Sequence, residues 1–173
     1  KSTNVIIEKP PKGESQSNGA IENGVKTVKG VIRTYKMALE RRIDGALPTF
    51  HPIMAWLIEH AGECITKYLV GKDGKTGYER LCGKPARDEA VEFGESVWFR
   101  KRKGTMKSLD ARWLDGVWLG KPWGAIDNLV YHEGKIHEAR AIQRRPETER
   151  WNRKEVERVN VWPWDRNKRN EEG

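Results

Sequence analysis

Five charged residues in one stretch of the chain are spaced so that they would lie on one face of a helix. Glu22 comes first, and Lys26, Lys29, Arg33 and Lys36 follow at alternating steps of four and three residues. On a helix this spacing predicts one exposed face with an acid at its head and a row of cations behind it. Such a row suits a polyanion such as nucleic acid. The alternative is an ordinary solvated face, on which Glu22 suits the helix N-terminus and pairs with Lys26.

Two patterns predict the helix that carries this row. The preceding segment, EKPPKGESQS, is rich in proline, glycine and small polar residues and is typical of a loop. Ser17, Asn18 or Gly19 can cap the helix that follows, which is expected to run to about Arg42. Its apolar residues also repeat at steps of four and three and predict a buried stripe, formed by Ile21, Val25, Val28, Ile32, Tyr35 and Leu39.

A second helix is expected from Thr49, as its cap, to about Val70, with Pro52 in the first turn. His60 and Cys64 lie four residues apart on it and provide half of a metal site at most. No second pair of such ligands accompanies them, so we interpret both residues as structural. The side of this helix expected to pack consists of Phe50, Ile53, Met54, Leu57, Ala61, Ile65 and Tyr68.

Further along, a short helix gives way to strands. Thr76 and Glu79 have the spacing of a capping box, and Gly83 is placed to end the helix. From about Glu92 the apolar period changes to two, which predicts short antiparallel strands and, for this length, a small closed barrel. The sequence HEGK at 132–135 is typical of a tight hairpin turn. The strand residues are Val97, Phe99, Val117, Leu119, Leu129, Tyr131, Ile136, Ala139 and Ile142.

Tryptophans are concentrated in the predicted barrel. A barrel this small cannot bury all of them, so at least one exposed ring is expected, available to stack on bases or on a partner. Ordinary core and rim packing is the alternative for each ring. The charged segment 147–173 has no sustained period and is interpreted as a linker or tail. The tryptophans of the barrel region are Trp98, Trp113, Trp118 and Trp123.

The composition narrows the class of protein. Lys and Arg outnumber Asp and Glu by 33 to 25 among 173 residues, giving a formal charge of +8 and a pI near 9.5, which favours a polyanionic partner. The sequence has two cysteines, Cys64 and Cys82, which are too few and too far apart for a disulfide framework or a zinc knuckle. Their small number indicates a reducing, intracellular compartment rather than secretion. No apolar run approaches the length that spans a bilayer, so no membrane partner is expected.

Several motifs, taken in order, carry a resemblance. QSNGAIE precedes two helices, and GKTGYERLCGKP, FGESVWF and LDARWLDGVWLGKPWGAIDNLVYHEGKIHEARAI follow. Together they resemble the C-terminal half of integrases from copia-type retrotransposon polyproteins, over roughly residues 5–145. The connecting segment of that family usually has proline where Gly77 stands. Because several motifs agree in order and spacing, we prefer the integrase interpretation of Glu22 over that of a solvated face.

The resemblance implies an α+β fold in four parts. Residues 1–70 would be the C-terminal strand and helices of a ribonuclease H-like catalytic core, with the strand at 5–7. Residues 71–89 would be a connecting segment with a short helix, and 90–146 a Src-homology-3-like β-barrel. Residues 147–173 remain the charged linker or tail. The strands that precede this part of the core are expected upstream of the chain.

The resemblance also implies a chemistry. The family's active site has two Asp and one Glu that hold two Mg²⁺ or Mn²⁺ ions for attack on a DNA phosphodiester, and Glu22 matches the Glu. Both Asp are expected upstream, so the chain alone is expected to be inactive. Asp44, Asp73, Asp110 and Asp115 are not assigned to the site. The residues expected at DNA are Asn18, Gly19, Lys26, Lys29, Arg33 and Lys36.

The partner implied for the parent protein is DNA, with a homo-oligomer and without a small-molecule substrate. Its expected location is the nucleus, after a cytoplasmic stage. Two other interpretations stay open. One is a non-catalytic nucleic-acid or chromatin binding module derived from an integrase. The other is an assembly segment whose helices and barrel mediate multimers.

Overall fold

The computed structural model of the chain is α+β and describes residues 15–87, 91–100, 113–122, 124–125 and 127–166. The strand expected at 5–7, Asp110, Trp123 and residues 167–173 lie outside these ranges. The elements, in chain order, are α1 (Ser15–Arg42), α2 (Pro52–Tyr68), α3 (Gly77–Cys82), β1 (Ser96–Phe99), β2 (Leu114–Gly120), β3 (Asn128–His132), β4 (Lys135–Ala139), β5 (Ile142–Arg144), a 3-10 turn (Glu147–Glu149), α4 (Arg153–Glu157) and a second 3-10 turn (Pro163–Asp165).

The first helix ends where the sequence predicts and begins earlier. It starts at Ser15, so Ser17, Asn18 and Gly19 lie inside its first turns and none of them is the cap residue at its start. In a helix Ser and Asn cost roughly 0.5 kcal/mol and Gly about 1 kcal/mol relative to Ala, which does not prevent the helix from extending through these residues. A Cβ added at Gly19 would meet no atom within 4 Å, so no close approach there requires glycine.

The apolar stripe of α1 is buried in its C-terminal half only. Leu39 is 2% exposed and Ile32 and Tyr35 pack against the core, as the pattern predicts. The expectation of burial is wrong for the N-terminal half, where the fractional exposure is 66% for Ile21, 47% for Val25 and 40% for Val28. That half extends beyond α2 and the sheet, so its apolar side chains have no described layer to pack against.

The second helix is capped by His51 rather than by Thr49. The Nδ1 atom of His51 accepts a hydrogen bond from the backbone N–H of Ile53 at 3.2 Å. Pro52 accounts for the shift, because proline favours an extended residue before it and a helix that starts at itself. Phe50 therefore precedes the helix and is 89% exposed instead of packed.

Packing on α2 follows most of the predicted side but not all of it. Ile53, Met54, Leu57 and Ala61 are buried, whereas Tyr68 is exposed at the end of the helix. Trp56, which the sequence pattern missed, is 1% exposed and is among the largest fully buried side chains of the described core.

The short helix α3 forms as predicted. Thr76 accepts from the backbone N–H of Glu79 at 3.1 Å, and the Glu79 carboxylate accepts from the backbone N–H of Thr76 at 2.7 Å. Gly83 ends the helix in the left-handed conformation with φ 71°. Both ends are thus fixed by local chemistry that the sequence contains.

The five strands form one antiparallel sheet in the order β4-β3-β2-β1-β5. Glu133 and Gly134 have φ angles of 45° and 80°, the backbone of a type I′ turn, which confirms the predicted hairpin between β3 and β4. A Cβ at Gly116 would lie 2.7 Å from the Tyr131 carbonyl oxygen, so β2 needs glycine there. Strands β4 and β5 are the sheet edges within the described residues, and closure into a barrel stays a prediction.

The segment after β5 belongs to the core over residues 147–166, so its interpretation as a linker is wrong there. Val156, Val159 and Val161 are at most 1% exposed and join one hydrophobic cluster with α1, α2 and the sheet. The Trp56 indole Nε1 donates to the Val161 carbonyl oxygen at 2.7 Å. This segment packs through single residues of short turns, which a search for sustained periodicity does not detect.

The bond between α2 and this segment predicts the effect of Trp56→Phe. The change removes the indole donor, leaves the buried Val161 carbonyl oxygen without its described partner and reduces the packed volume. We expect the free energy of unfolding, measured with urea, to fall by about 1–3 kcal/mol. Trp164→Phe is the control, because Trp164 is 66% exposed, and its effect should stay within about 0.5 kcal/mol. Equal losses in both variants would contradict the anchoring role of Trp56.

Candidate nucleic-acid interface

Four of the five predicted residues form an exposed row on α1. Glu22, Lys26, Lys29 and Arg33 are all exposed on this 28-residue helix, as their spacing predicts. The three cations cover about 10 Å of the helix axis at about 1.5 Å per residue. That length corresponds to about three phosphate-to-phosphate steps along one DNA strand, at about 3.4 Å of helix axis each. We call Glu22, Lys26, Lys29 and Arg33 the α1 row.

Lys36 does not belong to the α1 row, and its expected exposure is corrected. Its side chain is 28% exposed, and its ammonium forms an ion pair with Glu40 one turn later. The Glu40 carboxylate also accepts the backbone N–H of Leu47 at 2.7 Å. Lys36 therefore stabilises the turn after α1, and its charge is already compensated.

Asn18 and Gly19 lie on the same helix as the α1 row, about one turn before Glu22. The sequence predicted that the loop ends and the helix is capped at Ser17, Asn18 or Gly19, whereas the helix is already continuous from Ser15. The orientation of the Asn18 side chain lies outside what the structure describes. Its role at DNA stays a prediction.

Potential metal ligands are dispersed over the described residues. No three His, Cys, Asp or Glu side chains there are grouped so that they could hold a metal ion, and Glu22 is an exposed carboxylate without such a group. Two of the aspartates that the sequence analysis did not assign to the site form ion pairs with arginines. Asp73 pairs with Arg80, and Asp115 lies 2.7 Å from Arg145. One carboxylate does not complete a two-ion site.

His60 and Cys64 are in contact, as their spacing on α2 allows. The Cys64 sulfur lies 3.4 Å from His60 Nε2. The His60 ring stacks on Phe93 with centroids 5.3 Å apart and meets the rings of Tyr35 and Trp118 edge-on. His60 thus helps to join α1, α2 and the sheet, which agrees with its structural interpretation.

The tryptophans divide between core and surface. Trp118 is buried, and its indole donates to the Asn128 amide oxygen at 3.0 Å, whereas Trp113 is 41% exposed. The expectation of at least one exposed ring is confirmed. Sequence reasoning missed the Trp162–Trp164 pair, whose rings stack with centroids 5.0 Å apart and leave Trp164 at the surface. The repeated tryptophan around Pro163 was its available signal.

Comparison with models of known families and with curated proteins gave no match to this chain. Among the helices that the structure describes, none is both long enough and apolar enough to span a membrane.

The Glu40 contacts predict an acid-sensitive contribution to stability. Its hydrogen bonds with Lys36 and the Leu47 N–H lower the pKa of Glu40 in the folded chain. A carboxyl whose folded pKa is lowered stabilises the fold above its unfolded pKa and loses that contribution as pH falls through the folded value. Glu40→Gln should therefore reduce the free energy of unfolding by about 1 kcal/mol near pH 7 and by less near pH 3.

Urea unfolding at both pH values measures this difference. Glu22→Gln is the matched control, because it removes the same charge from an exposed position of the same helix. A Glu40→Gln effect that is equal at both pH values would contradict the ion-pair contribution.

Proposed function

We propose that this chain is the C-terminal half of a retroelement integrase, whose parent protein joins DNA ends to a DNA target. The observation that carries the proposal is the α1 row, in which one acid precedes three exposed cations on a 28-residue helix. In this proposal the row holds DNA phosphates beside the catalytic centre. The order of the sequence motifs supplies the class of reaction.

The uncovered apolar residues of α1 support a further structural layer. Ile21, Val25 and Val28 are exposed on the same end of the helix that carries the row. Isolated apolar residues are common at surfaces, but a stripe that continues a buried one favours a covering element. In the proposed ribonuclease H-like core, strands upstream of this chain cover the stripe and carry the two aspartates.

The sheet supports the second part of the proposal, a Src-homology-3-like barrel. Strands β1 to β4 are neighbours in chain order, and β5 returns to pair with β1. A last strand that returns to the first brings the two edges of a short, twisted sheet toward each other. This arrangement suits a small barrel that follows the core.

Glu22 is proposed to supply one ligand to Mg²⁺ or Mn²⁺ in the parent protein. The described residues do not complete that site, because Glu22 is not part of any group of three His, Cys, Asp or Glu side chains there that could hold a metal ion. No catalytic step is assigned to this chain alone. Its proposed contribution is one carboxylate and a surface for DNA, in a protein that acts in the nucleus as a homo-oligomer.

A second candidate is a non-catalytic nucleic-acid or chromatin binding module. The exposed Trp164 ring, which stacks on Trp162, favours it, since a base can stack on such a ring without any metal. Both candidates use the cations of the α1 row. They differ in Glu22, which only the integrase requires.

Activity assays separate the two candidates. Purified alone, the chain should neither cleave nor join DNA with Mg²⁺ or Mn²⁺, because one carboxylate cannot hold two ions. In a protein extended by its upstream coding sequence, Glu22→Gln should abolish strand transfer while DNA affinity stays within about threefold. The measurements are product formation on labelled DNA and fluorescence anisotropy. Equal activity of Glu22→Gln and parent, or Glu22-dependent strand transfer by the chain alone, would overturn the assignment.

The α1 row also predicts the salt dependence of binding. Changing Lys26 and Lys29 together to Gln should reduce the magnitude of the slope of log affinity against log salt by roughly 2, at about 0.9 per lost phosphate contact. Helix content should hardly change, because Gln is nearly as good a helix former as Lys. Circular dichroism checks this point.

The charge-matched control is the double change of Lys72 and Lys75 to Gln. Both lysines are exposed and lie in the connection between α2 and α3. Their loss should alter the slope much less. An unchanged slope in the α1 variant, or equal losses in both, would mean that the row is only a solvated face.

A further inference from the structure

A nucleophilic side chain lies beside a cavity that the proposed function does not use. The cavity has a volume of about 670 Å³ and lies between α1, α2 and the sheet, with Tyr35, His60, Cys64, Phe93 and Trp118 among its lining residues. This size is typical of small-molecule sites. Cys64 is half-buried there, whereas Cys82 is exposed on α3.

Two groups with suitable chemistry converge on the Cys64 sulfur. His60 Nε2 lies 3.4 Å away, on the preceding turn of α2. From α1, the Tyr35 hydroxyl hydrogen-bonds with Cys64, and burial together with this bond raises the pKa of Tyr35 well above its usual range. Of a phenol and a thiol, the phenol is the stronger hydrogen-bond donor, so we assign the donor role in this bond to Tyr35. A base that takes the thiol proton and a donor that stabilises the thiolate are the two requirements of an activated cysteine.

The charged surroundings also favour an anionic sulfur. Four cations line the cavity, namely Arg42 on α1, Lys67 on α2, Lys121 directly after β2 and Arg140 directly after β4. The other titratable groups that line it are Glu63, Tyr68 and Glu92. Lys67 lies 3.7 Å from Glu63 and Arg42 lies 3.2 Å from Glu92, so the two acids are paired with two of the cations. Among the described lining residues, cations therefore outnumber carboxylates by four to two.

We propose that Cys64 is a nucleophilic thiol, activated by His60 and Tyr35, and that its site takes small peroxides. The Cys64 proton passes to His60 Nε2, and the thiolate attacks one oxygen of hydrogen peroxide. The O–O bond breaks, and the leaving hydroxide takes the proton from His60 to form water. Cys64 is oxidised by two electrons to sulfenic acid and the peroxide is reduced, so one thiol and one peroxide give one sulfenic acid and one water.

The two cysteines of the chain make the test internally controlled. The intact chain is treated with hydrogen peroxide and a diketone that traps sulfenic acid, and labelling of Cys64 and Cys82 is compared by mass spectrometry. Access alone predicts slower labelling of the half-buried Cys64. Activation predicts labelling of Cys64 about tenfold faster than of Cys82 near pH 7, since an ordinary thiol is only a few per cent thiolate there. This ratio should rise further as pH falls from about 8 to about 6.

Two variants test the proposed partners of the sulfur. His60→Gln should reduce the labelling ratio to about 1 or below. Tyr35→Phe, which removes one oxygen and leaves the ring contacts, should reduce it several-fold and provides the test if His60→Gln unfolds. Circular dichroism melting establishes that each variant is folded. A ratio at or below 1 in the parent chain, or an unchanged ratio in folded Tyr35→Phe, would overturn the proposal.

Discussion

A buried carboxylate ties the sheet to the segment that follows it. Glu95 is fully buried directly before β1, and Arg144 on β5 donates to its two oxygens at 2.7 and 2.8 Å. The Arg150 guanidinium lies 3.6 Å from the same carboxylate. The backbone carbonyl of Arg150 accepts the backbone N–H of Ser96. The Glu95 carbonyl accepts the Trp118 N–H from β2. A buried charge is tolerated only when it is compensated, so the Glu95 carboxylate requires Arg144 of β5 and Arg150 of the following turn to lie beside the start of β1.

The segment after β5 then connects the sheet to the helices. The Tyr131 hydroxyl on β3 donates to the Arg158 carbonyl at 2.6 Å, and the Trp56 indole on α2 donates to Val161. His51 Nε2, at the start of α2, lies 3.0 Å from the Glu157 carbonyl oxygen. This segment is therefore the layer through which α2 and the sheet share one core. The C-terminal half of α1 packs on the same core, and its N-terminal half projects with the α1 row.

The cations of the chain have two different uses. Some are bound to acids and hold the fold, as Lys36 is by Glu40, Arg80 by Asp73 and Arg153 by Glu157. The cations of the α1 row lie instead on the open face of a projecting helix. The net charge of the sequence does not distinguish these two kinds of cation. Only the second kind is placed to neutralise an external polyanion without breaking an internal pair.

Local chemistry was readable from the sequence, and contacts between distant residues were not. The capping box of α3, the end of α1 at Arg42 and the turn at Glu133 each depend on residues a few positions apart, so their patterns predicted them. The exposure of Ile21, the ion pair of Lys36 and the burial of Val161 depend on where α1 leaves the core and on what packs beside each residue. Periodicity assigns a side to a residue, but only the tertiary structure decides whether another layer covers that side.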